Sequence, residues 1–260
     1  MSPENLTREL EKAARKAGVK FFGAADVTPA REYVRRTGGE FVAGFPRAIS
    51  LVMLRSPTAI EQIKRRIKGE ESPQEQLVAF YTYRALSREY EGNWLNQITI
   101  ELVHRIEQAG YRAYPVFRSG IGPHGMTAPF SQKIAAYLSG LGWMGRNCMV
   151  INPVHGPRIM LATVLTYAPI ETGKPVEDRC GACRACVEVC PANAFSGVPF
   201  DPAEPPENRM NNEACRAYCE GLLRSLGVDR DYIASGHVCG RCQYVCPFGF
   251  KKAREASTAR

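Results

Sequence analysis

Cysteine is nearly missing from the first two thirds of this 260-residue chain: Cys148 alone precedes residue 180. That argues against a disulfide framework spread through the fold, as small secreted domains use. Long apolar runs are missing too. No stretch approaches the roughly 20 apolar residues a membrane helix needs. The opening "MSPENLTREL" holds no apolar core of signal-peptide length. Arg35-Arg36 and Arg65-Arg66 lack a following apolar run, so neither reads as a twin-arginine export signal. The expected location is therefore the cytoplasm, with no membrane partner. Thiols stay reduced there, so nine further cysteines call for a role other than cross-linking. No internal repeat precedes them and no segment is of low complexity, while hydrophobic residues at 45% and charged residues at 23% suit a globular chain.

Those nine cysteines fall within 67 positions, from Cys180 to Cys246. "CGACRACVEVCP" sets Cys180, Cys183, Cys186 and Cys190 at spacings of three, three and four, ahead of Pro191. Zinc is the rival reading, because paired C-x-x-C knuckles are its usual donors. A C-x-x-C-x-x-C run followed by C-P is instead the bacterial ferredoxin signature, in which the fourth cysteine ligates the other of two clusters. Such a run predicts a partner, and "CGRCQYVCP" supplies Cys239, Cys242 and Cys246 before Pro247. The thiol this half lacks must come from "NNEACRAYCEGLL", where Cys215 and Cys219 stand four apart on one helix face. The expectation is two [4Fe–4S] clusters. Cys180, Cys183, Cys186 and Cys246 would hold one; Cys190, Cys239, Cys242 and either Cys215 or Cys219 would hold the other.

The preceding region reads as alternating helices and strands. Ser2-Pro3 looks like a helix start, Leu6, Leu10, Ala13, Ala14 and Ala17 line one face, and Gly18 stops the helix. "VKFFGAADV", "AISLVMLRS", "YRAYPVF" and "RIMLATVLTYA" read as buried strands. Helices are expected over roughly 74–90, 94–109 and 131–139. The polar "ETGKPVEDR" (171–179) reads as a joint. Gly140, Gly142 and Gly145 have dinucleotide-loop spacing in "GLGWMGRN", but a helix-like run precedes them where a strand should stand. The alternatives are a helix stop with a tight turn, or side-chain-free backbone that a bulky cofactor can approach. Trp143 either fills core or packs against such a cofactor.

"GLGWMGRN", "INPVHGPR", the Cys180–Pro191 run and "CGRCQYVCP", in that order, resemble epoxyqueuosine reductases and, more distantly, the catalytic domain of reductive dehalogenases. "YRALSREYE" looks like a divergent copy of a further motif of the tRNA-modifying enzymes. The resemblance implies a base-off cobalamin beside two [4Fe–4S] clusters, with Gly140, Gly142, Trp143, Gly145, Arg146, Asn147, Asn152, Pro153 and Gly156 as corrinoid-contacting positions. It favours Cys215 over Cys219. The implied organisation is an α/β (α+β) cobalamin-binding domain (1–170), a joint (171–178), a bacterial-type two-[4Fe–4S] ferredoxin module (179–250) and a basic tail (251–260). The implied function is a cobalamin-dependent iron–sulfur reductase fed by a low-potential donor such as flavodoxin or ferredoxin. The alternative is a non-catalytic electron-transfer or reductive-activation protein for another corrinoid or redox enzyme.

The chain departs from that pattern at one chemically important place. By resemblance, the family's catalytic aspartate falls at Met126, and a thioether delivers no proton. His124 in "GIGPHGMTAP" is the nearest titratable substitute, with an intrinsic pKa in the useful range. Its bland reading is a solvated loop histidine. Tyr114 and Arg118 are weaker candidates. Net charge of +8 and pI ≈ 9.0 are compatible with a tRNA partner. The basic stretch "KRRIK" (64–68) and the tail read equally as solvated surface.

Overall fold

A four-stranded sheet in the order β1-β2-β6-β3 organises the first of two compact units. The computed structural model describes residues 2–68, 72–116, 129–202, 208–228 and 239–250. The first unit takes residues 1–54, 91–143 and 159–177; the second takes 55–90, 144–158 and 178–260. The units interleave along the chain. Residues 55–90 and 144–158 group with the cysteine-bearing segment, and the last crossing falls between Glu177 and Asp178.

In the first unit the strands are β1 (Phe21–Asp26), β2 (Arg47–Leu54), β3 (Ala113–Val116) and β6 (Ile159–Thr166). Every neighbouring pair among them is antiparallel, so this part is α+β with no parallel pairing. Register follows from burial on both faces. Ile49, Leu51 and Met53 of β2 stand opposite Val164, Ala162 and Met160 of β6, and all six enter one core. Ala48 and Leu165, one position along, enter the core on the other face. A one-residue slip would exchange the two sets.

Helix α1 (Pro3–Lys16) starts where Ser2 Oγ accepts from the Asn5 N–H at 3.3 Å. Helix α5 (Glu91–Gln108) joins it over the first face, burying Leu6, Leu10, Leu95, Leu102 and Ile106. Each such aliphatic side chain stabilises by roughly 1.5–3 kcal/mol relative to exposure. Helix α2 (Arg31–Ala43) and α6 (Gln132–Leu138) cover the second face through Val34, Val42 and Ala135. Helix α2 was not among the expected helices, and its backbone explains this: the helix is broken at Gly39, with φ 75° and ψ 179°. Gly140 ends α6 at φ +77°, beside the Lys174 carbonyl, and the two-residue strand β4 (Trp143–Met144) follows. A helix, and not a strand, thus precedes the glycine turn.

In the second unit α3 (Pro57–Lys68) packs on α4 (Pro73–Arg84), whose capping box pairs Ser72 and Glu75 reciprocally. The expected helix to residue 90 instead becomes a π-helical turn over Ala85–Tyr90. There Ser87 Oγ donates to the Tyr83 carbonyl at 2.7 Å, a back-bond that competes with regular helix pairing. The two-residue strand β5 (Val150–Ile151), α7 (Ala185–Glu188), α8 (Asn212–Ser225) and α9 (Arg241–Tyr244) complete it, with α9 packed on both α3 and α7. No helix among the described residues is long and apolar enough to cross a membrane.

Candidate iron–sulfur site

The two cysteine motifs are built by short loops whose backbone hydrogen bonds leave little freedom. Asp178 Oδ1 accepts from the Cys180 N–H at 2.7 Å, and the Cys183 N–H closes a turn on the Cys180 carbonyl at 3.0 Å. Cys186 then lies in α7. Cys190 follows it, its Sγ accepting from the Ala194 N–H at 3.3 Å. In the other motif Gly240, in the left-handed region at φ +72°, turns the chain from Cys239 into α9, which carries Cys242. A Cβ at Gly240 would also stand 2.8 Å from the Ile63 side chain.

Cys180, Cys183, Cys186 and Cys246 line one pocket together with Gly145, Arg146, Asn147, Ile151, Ala185, Pro247 and Phe248. Two thiols of the first motif region and one from its helix thus face a thiol that lies 60 positions further along. Cys190, Cys215 and Cys242 gather around a second apolar cluster with Ala194, Phe195 and Cys148. Cys239 packs beside Cys215 and Cys219, against Phe80 and Leu223. Cys219 is buried at 1% exposure and its thiol contacts Cys215, while Cys215 also feels Cys242 and Cys190. Among the described residues no three Cys, His, Asp or Glu side chains converge as a single ion requires. A tetrahedral zinc needs its sulfurs about 2.3 Å from one centre. Thiols spread around a pocket suit a multi-atom core.

Burial dominates the electrostatics of these thiols. Desolvation pushes Cys186 and Cys246 up to about 11 and Cys242 up to about 12, each helped by neighbouring sulfurs. The contact with Cys219 raises Cys215 further, with burial next. Ligation must therefore displace protons, and a strongly Lewis-acidic core is what drives that exchange.

Three side chains from the 144–158 segment brace the cysteine loops. Asn147 Nδ2 donates to the Cys242 carbonyl at 3.1 Å while its Oδ1 accepts from the Met149 N–H. Arg146 donates to the Gly197 carbonyl at 2.5 Å and to the Gly181 carbonyl between Cys180 and Cys183. Arg158 donates to the Cys246 and Phe248 carbonyls, both at 2.7 Å, and to the Tyr244 carbonyl at 3.4 Å. From the opposite side Gln243 Nε2 donates to the Pro157 carbonyl at 2.7 Å, and Arg209 donates to the Gly145 carbonyl at 2.9 Å.

The positions that the resemblance assigns to a corrinoid are distributed unevenly. Gly140, Gly142 and Trp143 belong to the first unit; Trp143 is 1% exposed and fills core. Gly145, Arg146, Asn147, Asn152, Pro153 and Gly156 belong to the second. Asn152 is spent on a local turn, its Oδ1 accepting from the Val154 and His155 N–H groups. Gly156 lies against the Phe248 carbonyl, where a side chain would not fit, and Pro153 is exposed. Tyr114 is half-buried in β3. His124, Met126 and Arg118 lie outside the described residues, as does the tail 251–260. Arg158, Gln243 and Arg209 went unmarked in the sequence, because partners 64 to 90 positions away leave no local pattern.

Residues 179–249 match the model of a 4Fe-4S double cluster binding domain. A curated epoxyqueuosine reductase of Bacillus cereus is 30% identical over 123 residues, 46% of this chain and 30% of that protein. The epoxyqueuosine reductase of Pseudomonas aeruginosa is 27% identical over 240 residues, 88% of this chain and 58% of its own length. The chain is thus similar to epoxyqueuosine reductases over part of their length and contains a segment matching a 4Fe-4S double cluster binding domain. It spans roughly a third to just over half of the curated relatives it matches. Its fold is also that of a reductive dehalogenase described in terms of B12-dependent dehalogenation. The TM-score is 0.64 at 18% identity, covering 99% of this chain and 34% of the dehalogenase. Four thiols line this pocket, and the loops that carry them are tied down by the Arg146 and Arg158 guanidinium groups, so these residues could hold an iron–sulfur core.

Proposed function

We propose that the chain is an iron–sulfur reductase carrying two [4Fe–4S] clusters, which deliver electrons to a base-off corrinoid acting on a substrate not yet assigned. Cys180, Cys183, Cys186 and Cys246 would hold one cluster and Cys190, Cys215, Cys239 and Cys242 the other. The observation that carries this reading is the meeting of the first four thiols in one pocket that the Gly145–Asn147 segment also lines. When bound, clusters of this type supply one-electron transfer at low potential, and a corrinoid would supply a reducible cobalt.

The protein's own contribution is placement. Asn147 and Arg158 fix the carbonyls of Cys242 and Cys246, so the sulfurs of this motif are presented from backbone that is already tied down. Arg146 does the same for the Cys180–Cys183 loop. Burial of Cys190, Cys219 and Cys246 keeps water from much of the cysteine region, whereas Cys183 is exposed and marks the side on which an electron donor could approach. Residues 1–170 would form most of the corrinoid-binding part, and a flavodoxin- or ferredoxin-like donor would serve the clusters.

A second reading, electron transfer or reductive activation of another corrinoid or redox enzyme, draws on Met126. A chain without the family's acid can move electrons yet lack the proton its relatives deliver. Absorption spectra of cobalamin mixed anaerobically with cluster-loaded protein separate the two. The reductase reading expects the visible band to shift to the base-off form; unchanged spectra would contradict it and leave electron transfer.

A further inference from the structure

Arg158 grips the Cys246 loop through three carbonyl contacts, to Tyr244, Cys246 and Phe248. Its plane lies over the Phe250 ring, 3.7 Å from the centroid, and Tyr244 meets the same ring edge-on at 5.5 Å. Stacking on one side and three acceptors on the other allow the charge one position. Among the described residues no carboxylate pairs with Arg158, and its acceptors are neutral carbonyls. Burial opposes its charge while the Cys246 sulfur favours it. An arginine nevertheless stays protonated in proteins. A half-buried cation that no described carboxylate neutralises is therefore held against the loop that presents Cys246.

A structural clamp alone would account for the carbonyl contacts. It does not account for a half-buried cation that no described carboxylate neutralises, because a cation removed from water is costly unless something negative compensates it. Four thiolates around an iron–sulfur core outweigh the charge of the core, and each added electron makes the site more negative. We propose that Arg158 is a positioning residue that raises the reduction potential of the cluster held by Cys180, Cys183, Cys186 and Cys246, through its fixed positive charge beside Cys246. The proposal rests on the ligand set proposed above. The second set of thiols has no contact with Arg158 among those observed, so the two clusters should differ in potential on this account.

The test is potentiometric titration, followed by electron paramagnetic resonance, of the anaerobically loaded wild-type protein and its Arg158→Gln and Arg158→Lys variants. In Arg158→Gln one of the two midpoints should fall by an amount on the order of tenfold in the reduction equilibrium. That size follows from one charge acting across a partly buried gap at an effective dielectric near 20, and tenfold corresponds to 59 mV for a one-electron couple. The other midpoint should move much less. Lysine keeps the charge but cannot span three carbonyls, so Arg158→Lys should lose thermal stability and yet hold its midpoint within about threefold of wild type. Equal midpoints in wild type and Arg158→Gln would overturn the proposal, as would a fall in Arg158→Lys as large as in Arg158→Gln. Should Arg158→Gln assemble no cluster, Arg158→Met, which removes the charge and keeps an unbranched side chain, takes its place under the same criterion. Failure of the ligand set is separately visible: Cys246→Ala would then retain both cluster signals.

Discussion

Cys215 and Cys219 stand one helical turn apart on α8, and their surroundings separate them. Cys215 reaches toward Cys190 and Cys242, whereas Cys219 is enclosed with Phe80, Leu223 and Val228. Cys215→Ala should therefore remove about half of the iron and sulfide from anaerobically loaded protein, as loss of one of two cubes requires. Cys219→Ala should leave the iron unchanged and lower stability by about 1 kcal/mol, the scale of a small core deletion. The reverse pattern in iron analysis would exchange their roles. Gly240 offers a second residue-level test. Alanine there meets both the left-handed backbone and Ile63, so Gly240→Ala should cost at least 1–2 kcal/mol in thermal or denaturant unfolding. A neutral substitution would show that the turn into α9 relaxes freely. For Met126 the expectation is chemical. A positioned acid contributes about 10²–10⁴-fold, so the unaltered protein should turn over epoxyqueuosine in tRNA poorly and Met126→Asp should raise any residual rate. Robust wild-type turnover, insensitive to His124→Ala, would point to an acid elsewhere.

Elements with strong local chemistry were legible before the structure. The Ser2-Pro3 start of α1, the apolar runs of β2 and β6 and the C-x-x-C spacings each depend on neighbours a few positions apart. Helix α2 was not legible, because Gly38 and Gly39 interrupt it and its buried residues are few. The π-helical turn at Ala85–Tyr90 was also missed; Ser87 Oγ bonds back onto the Tyr83 carbonyl within it, and no apolar period marks such a turn. The contacts that shape the candidate site were least legible of all. Asn147, Arg158 and Gln243 act on carbonyls 86 to 95 positions away, and no periodicity encodes such pairs. What the sequence did carry was identity, since the segments "GLGWMGRN" and "INPVHGPR" contain all of the bracing residues except Gln243 and Arg209. At this scale Ser72→Ala is informative. Losing the hydroxyl that accepts from the Glu75 N–H, with the Glu75 bond to the residue 72 N–H kept, should destabilise α4 by about 1 kcal/mol, measured as a lowered unfolding midpoint with iron content unchanged.

At the scale of the whole molecule the cysteine segment does not stand by itself. Residues 55–90 and 144–158, drawn from between strands of the sheet, complete the unit that holds all ten cysteines. A ferredoxin-like segment of some 70 residues is thus supplied with helices α3 and α4 and with the bracing loop from elsewhere in the chain. Net charge of +8 acquires a second meaning here. Eight thiolates around two cluster cores, as proposed, would leave each site negative, and cations such as Arg146 and Arg158 would offset part of it. The account stands or falls on whether these thiols hold iron. Iron, acid-labile sulfide and zinc should be quantified on anaerobically purified and reconstituted protein, together with its electron paramagnetic resonance spectrum after reduction. About eight irons and eight sulfides per chain, with spectra showing two coupled reduced clusters, are expected; stoichiometric zinc in a colourless protein would contradict the account.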